Sequence, residues 1–247
     1  MRRLGVLLAL WAAGAAAPPA ALTVFAASDL AFALRDLAAR FEATTGAKVT
    51  VVLGSSGNLA HQIEQGAPAD VFFSADRSYV DGLVARGLVI ADTRTLYARG
   101  RLALATPASG SRLTDVRGLA EARIRRVAIA NPAHAPYGRA AEQVLRRVGL
   151  WEAVQPKLVY AENIRQALQY VESGAVDAAI VALAIVRVPG VEWTPIDASL
   201  HAPLDQAAGV VSASAHPDLA RALLRFVTSA EGRAIMERYG FALPEER

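Results

Sequence analysis

The sequence predicts an α/β protein of two lobes, built on mixed, mostly parallel sheets, with a ligand cleft between the lobes. Two observations carry this expectation. After residue 21, short apolar β-prone runs alternate with segments of helical period, the rhythm of successive β-then-α units. No internal repeat or low-complexity linker separates them, and segments 100–105 and 196–206 are the points where the chain is expected to pass between lobes. A chain of 247 residues with 53% hydrophobic content buries a sizeable core in one or two domains. The expected division is 1–21 as a leader, 22–102 together with 203–247 as the first lobe, and 103–202 as the second.

Met1-Arg2-Arg3, the apolar LGVLLALWAAGAAA and the small-residue PPAAL are the n-, h- and c-regions of a secretory signal peptide. The rival reading is a membrane anchor, but Pro18-Pro19 interrupt the run before the roughly 20 residues that a span needs. Cleavage is expected between Ala17 and Leu22, giving a soluble exported product. The chain has no cysteine, which removes disulfides, thiol nucleophiles, thiolate metal sites and a lipid-bearing N-terminal cysteine.

Beyond the leader, LTVFA, KVTVVL, DVFFSA, RLALAT, RVAIAN, KLVYA, VDAAIVALAIV and AAGVVSA read as strands. Helical period appears at 29–42, where Leu30, Ala33, Leu34, Leu37, Ala38 and Phe41 share a face. It recurs at 57–65, through YVDGLVARG, and at 137–148, 163–173 and 217–228. The last helices are expected to pack back onto the first lobe.

Basic residues exceed acidic ones only as 26 to 23, and loss of Arg2 and Arg3 with the leader takes the formal charge from +3 to +1. The arginines are scattered, and Arg125–Arg126 and Arg146–Arg147 are the adjacent basic pairs beyond the N-terminus. A solvated surface explains this pattern, and no nucleic-acid partner is expected.

The chemistry concentrates in LGSSGNLAHQI, residues 53–63. Gly54-Ser55-Ser56-Gly57 is one residue short of a nucleophile elbow, and His61 lies one helical turn past Ser56, a poor position for a general base. His134 and His201 leave a serine hydrolase on Ser55 or Ser56 open as an alternative. Neither a Walker-type phosphate loop nor G-x-G-x-x-G is present. An anion cradle fits better, because helix N-termini present unpaired N–H groups and the positive end of the helix dipole. Ser56 stands at one such start and Ser28, in FAASDL, at another, each after a strand. Pro136-Tyr137-Gly138 and Asn163-Ile164 open two more helices farther along. Taken singly, these are ordinary caps and cleft aromatics.

LTVFAASDL, GSSGNLAHQIEQGAPADVFFSAD, ANPAHAPYGRAAEQVL, KLVYAENIRQALQYVESG and ERYGF together resemble, in order, the ModA-type periplasmic molybdate-binding proteins of ABC transporters. The resemblance covers essentially the whole mature chain. It implies a type II periplasmic-binding fold that is not an enzyme and carries no cofactor. It also implies a molybdate or tungstate oxyanion held between the lobes, and an ABC-transporter membrane permease as partner to an expected monomer. Carried over by position, it implies hydroxyl and amide donors at Ser28 and Ser56, a contact from Tyr137 and the backbone amide of Ile164. One subgroup has a ligand-contacting tyrosine where this chain has Ala182, so Tyr137 is expected to replace that donor. Asp29 departs from the Leu or Asn common there, and its carboxylate is expected to point away from the anion. Whether Arg139 or Arg165 reaches the anion stays open. Another tetrahedral oxyanion, sulfate or thiosulfate, is the first alternative. A regulatory effector lobe is disfavoured because a leader stands where a DNA-binding helix pair would be.

Overall fold

The protein is described by a computed structural model covering residues 20–110 and 112–244. The leader expected at 1–21 lies almost entirely outside the described residues, among which no helix is long and apolar enough to cross a membrane. The order of elements is β1 (Ala21–Ala27), α1 (Ala33–Thr45), β2 (Lys48–Gly54), α2 (Ser56–Glu64), β3 (Val71–Ser74), α3 (Arg77–Ala85), β4 (Thr95–Gly100) and β5 (Leu102–Pro107). Then follow β6 (Val127–Ala130), α4 (Pro136–Arg147), α5 (Trp151–Val154), β7 (Leu158–Ala161), α6 (Ile164–Glu172), β8 (Ala178–Ala182), β9 (Val191–Pro195), β10 (Leu204–Val210), α7 (Pro217–Thr228) and α8 (Ala230–Arg238).

Two five-stranded sheets result, ordered β2-β1-β3-β10-β4 and β7-β6-β8-β5-β9. The chain leaves the first sheet at Gly100, enters the second at Leu102, and returns between Pro195 and Leu204. In each sheet two of the four pairings are parallel and two antiparallel, a smaller parallel share than the β-then-α rhythm suggested. The antiparallel pairings come from the strands next to the crossings. Two of these, β4 and β9, escaped the sequence reading because TLYARG and VEWTP are edge strands of mixed polarity without a solid apolar run.

The parallel registers matter for the site. Ala27 pairs with Gly54 and Ala130 with Ala161, so β1 and β2 end level with each other, as do β6 and β7. The segments that follow these four strands therefore begin at the carboxyl ends of their sheets, where α/β proteins bind ligands.

The first sheet is covered on both faces. Leu34, Leu37 and Phe41 of α1 pack with Leu223 and Val227 of α7 and Met236 of α8, placing the last helices on the first sheet as expected. On the opposite face Phe25 and Phe72 meet Leu59 and Ile63 of α2 and Val80 and Leu83 of α3. The helix expected at 29–42 is shorter at its start: Ser28–Leu30 form a tight 3-10 turn before α1, and all three residues are buried. The apolar run 176–186, expected to be one strand, leaves the sheet after Ala182. It stays buried because Ala184 packs into the first sheet's core while Ile185 packs into the second's.

Helix α4 lies so close to β6 that a Cβ on Gly138 would sit 2.0 Å from the Ala130 carbonyl oxygen. Backbone on both sides cannot yield cheaply. Gly138→Ala is expected to lower stability by about 1–3 kcal/mol, read as a reduced melting temperature and denaturant midpoint.

Candidate anion-binding cleft

Ser28, Ser56, Tyr137 and Ile164 line one small cavity between the two sheets, and Asp29 and Ser55 line it with them. Four separate segments of the chain, two from each sheet, thus meet at one point. Larger hollows lie on the outer surface, one of them around Asp92, Arg94 and Arg221, but those charges are already paired as Arg94–Asp81 and Arg221–Asp92.

Each helix start leaves a donor. The first amides of a helix have no partner within it. In α2 the N-cap is Ser55 and Ser56 is the first helical residue. The Ser56 hydroxyl accepts from the Ala75 amide at 3.0 Å, which leaves its own proton to give. In α4 the first position is Pro136, which has no N–H, so the first amide is that of Tyr137. In α6 the Asn163 side chain takes the Arg165 and Gln166 amides, each at 3.1 Å, and the Ile164 amide is left over. Asn163 is therefore the cap, and Ile164 offers the donor. The Ser28 hydroxyl donates to the Gly54 carbonyl at 3.0 Å and has to turn to serve an anion.

Asp29 holds the centre of a buried network. The Tyr137 hydroxyl donates to its Oδ2 at 2.9 Å, and Gln206 Nε2 donates to the same oxygen at 2.6 Å. Gln206 in turn accepts from the Tyr97 hydroxyl at 2.7 Å. This changes two expectations. A phenol has one proton, and Tyr137 has committed its own to Asp29, so its amide and not its hydroxyl remains for an anion. Ala182, inside β8, is fully buried and offers no substitute side chain. Asp29 is also turned away only in part: Oδ2 is engaged, while Oδ1 is buried with no hydrogen-bond partner. An ionised oxygen so placed is costly, about 1–3 kcal/mol or more. Burial accordingly pushes the Asp29 carboxyl up to about 6, against the lowering pull of Gln206, Tyr137 and the backbone amides of Asp29 and Leu30. Burial, then the neighbouring Asp29, push the Tyr137 phenol well above its ordinary range, so it stays neutral.

Further contacts tie the two halves together around the cavity. Arg139, on α4, donates to Asp76 at 2.7 Å and to the Tyr79 hydroxyl at 3.0 Å, both on the first sheet's side. The Gly57 amide donates to the His134 carbonyl at 2.9 Å. Arg165 pairs with Glu172 at 2.7 Å and stacks over Phe32. Neither arginine lines the cavity.

The hydrolase alternative gains one contact and fails on the next. His134 Nδ1 lies 2.8 Å from Ser55 Oγ, but Nε2 is 3.8 Å from the exposed Glu162, beyond hydrogen-bond reach, so no carboxylate orients the ring. His61 faces Glu64 on the outer side of α2, and His201 is bonded to the Ala202 carbonyl.

Sequence reasoning missed Gln206, Tyr97 and Asp76 as neighbours of the site. Gln206 did carry a signal, since a glutamine inside the apolar strand LDQAAGV is fully buried only when its amide is satisfied.

Residues 22–242 match the family described as bacterial extracellular solute-binding protein. The molybdate-binding protein ModA of Azotobacter vinelandii is 33% identical over 249 residues, spanning 98% of this chain and 98% of that relative. ModA of Rhodobacter capsulatus is 34% identical over 92% of this chain and 91% of its own. The solved periplasmic molybdate-binding protein of Azotobacter vinelandii superposes with a TM-score of 0.84 at 34% identity, covering 91% of this chain and 100% of that one. With two mixed sheets joined by two crossings and a donor-lined cavity between them, the chain belongs to the bacterial extracellular solute-binding proteins, in their ModA-type branch.

Proposed function

We propose that the protein captures molybdate, and tungstate with it, in the cavity between its sheets and delivers it to the membrane permease of an ABC transporter. The observation that carries this reading is the convergence of the Ser56, Tyr137 and Ile164 helix starts, with Ser28, on one buried cavity that no lysine or arginine lines. Oriented N–H and O–H dipoles in a dry site hold a dianion without a salt bridge, and three helix starts add the positive ends of their dipoles. The likeness to the two ModA relatives supports molybdate as that dianion. In this reading Ser28 and Ser56 donate from the first lobe, 22–102 with 203–247, while the Tyr137 and Ile164 amides donate from the second, 103–202.

Delivery follows from closure. An anion that bonds to both lobes favours the closed arrangement by its extra contacts there, and that population shift is what the permease reads. The cross-lobe bonds of Arg139, Gly57 and Asp29 belong to this closed arrangement. The protein works in the periplasm after loss of a leader at 1–21, as a monomer.

At a molybdate concentration 100-fold above the dissociation constant, binding raises folding stability by about 2.7 kcal/mol, visible as a higher melting temperature. A rise with sulfate and none with molybdate would replace molybdate by the smaller oxyanion. Ser56→Ala removes a hydroxyl donor to a charged ligand, and calorimetric titration is expected to show affinity lower by about 10- to 100-fold. Gly57→Ala probes closure without touching the anion. The added Cβ would lie 2.8 Å from both the His134 carbonyl oxygen and the Tyr79 hydroxyl, wedging the lobes apart. Its expected signature is weaker molybdate binding with the ligand-free melting temperature nearly unchanged.

A further inference from the structure

We propose that Asp29 is itself a ligand-binding residue: its Oδ1 holds a proton and donates it to the bound oxyanion, so that capturing a fully ionised dianion takes up one proton from solvent. This rests on the reading that the cavity holds a tetrahedral oxyanion, and it goes beyond the serine and backbone donors.

The geometry sorts the two carboxyl oxygens. Oδ2 accepts twice, from the Tyr137 hydroxyl at 2.9 Å and from Gln206 Nε2 at 2.6 Å, so its acceptor capacity is used within the protein and any proton on the carboxyl belongs on Oδ1. Oδ1 is buried, makes no hydrogen bond of full geometry and belongs to a residue that lines the cavity, while the backbone amides of Asp29 and Leu30 draw on the carboxyl without outweighing its burial. An ionised Oδ1 beside a dianion would set three negative charges in one buried space.

The groups packed around Asp29 offer no compensating cation. From α4 comes the Tyr137 phenol, from β10 the neutral Gln206 amide, and from β4 the Tyr97 phenol acting through Gln206. From α2 and α6, Ser56 and Ile164 line the same cavity, and neither carries a charge. Both phenols are held neutral by burial and by Asp29 itself. No described ion pair involves Asp29: Arg139 is spent on Asp76, and His134 lies against Ser55 and Glu162. Burial already brings the carboxyl to about 6 with the cavity empty, and a dianion arriving beside Oδ1 moves it further up. The balance is simple: carboxylate, one proton and the dianion give a carboxylic acid hydrogen-bonded to the dianion, with no covalent bond changed.

The proton also sets specificity. An ionised Oδ1 is an acceptor and would welcome the O–H of hydrogen phosphate. A protonated Oδ1 turns the same wall into a donor and leaves that O–H without a partner, favouring anions that carry no proton. The wall therefore discriminates through the state of one carboxyl.

Calorimetric titration of the protein with molybdate, repeated in buffers of different ionisation heat, counts protons taken up on binding. Near one proton per molybdate is expected at pH 8, falling toward zero at pH 5, where Asp29 is already protonated. The apparent dissociation constant is expected to rise about tenfold per pH unit above the free carboxyl's midpoint. Asp29→Asn keeps an N–H donor without a titrating group, and is expected to bind with no uptake and a flat profile. Should that variant not fold, carbon-13 NMR of the labelled aspartates in the unaltered protein reports whether Asp29 stays protonated at pH 8 with molybdate bound. Molybdate binding with no uptake, an ionised Asp29 in the complex, or the same pH slope in Asp29→Asn overturns the proposal and leaves the oxyanion reading intact. Tighter binding of inorganic phosphate than molybdate at pH 8, without uptake, overturns it by making Asp29 an acceptor. No binding of molybdate, tungstate or sulfate at any pH overturns both.

Discussion

Backbone amides at a helix start must find a partner outside the helix, and the two sheets aim three such starts at one cavity. The registers that end β1 level with β2, and β6 level with β7, fix where α2 and α6 begin relative to their neighbours. Pro136 at the head of α4 and Asn163 before α6 then decide which amide is left over, Tyr137 in one case and Ile164 in the other. The rest of the molecule holds these starts in place. The buried faces of both sheets pin the helices, and the close approach of α4 to β6 at Gly138 sets the depth of the Tyr137 amide. Unsatisfied donors at fixed positions suit an anion before any ligand arrives.

Asp29 occupies the opposite role. It brings an acceptor into a donor site, and the fold answers with Tyr137 and Gln206 on a single carboxyl oxygen. Because Tyr137 comes from the second half of the chain and Asp29 from the first, that bond is also a cross-lobe contact. It joins the Arg139–Asp76 pair and the Gly57–His134 bond around the cavity. The residues around the candidate cavity therefore also hold the two sheets together.

Much of this was legible in the chain by itself. Alternating strand and helix periods gave the α/β class, the crossings near 100 and 200 gave two halves, and small polar residues after strands marked Ser28, Ser56, Tyr137 and Ile164 as helix openings. Those signals are local, set by apolar spacing and by the residues that suit a helix start. The edge strands β4 and β9 stayed hidden because their partners, not their own pattern, make them strands.

What only the tertiary structure decided is which atoms face one another. The sequence determined that Tyr137 stands at a helix start; the docking of the two halves decided that its hydroxyl serves Asp29, which leaves its amide as the donor it can still offer. Gln206 and Tyr97 lie far along the chain from Asp29, and no spacing rule connects them, since long-range hydrogen bonds depend on how two sheets are docked. The raised pKa of Asp29 has the same origin. A carboxyl's side-chain identity is local, but its burial and its partners are supplied by both halves of the fold at once.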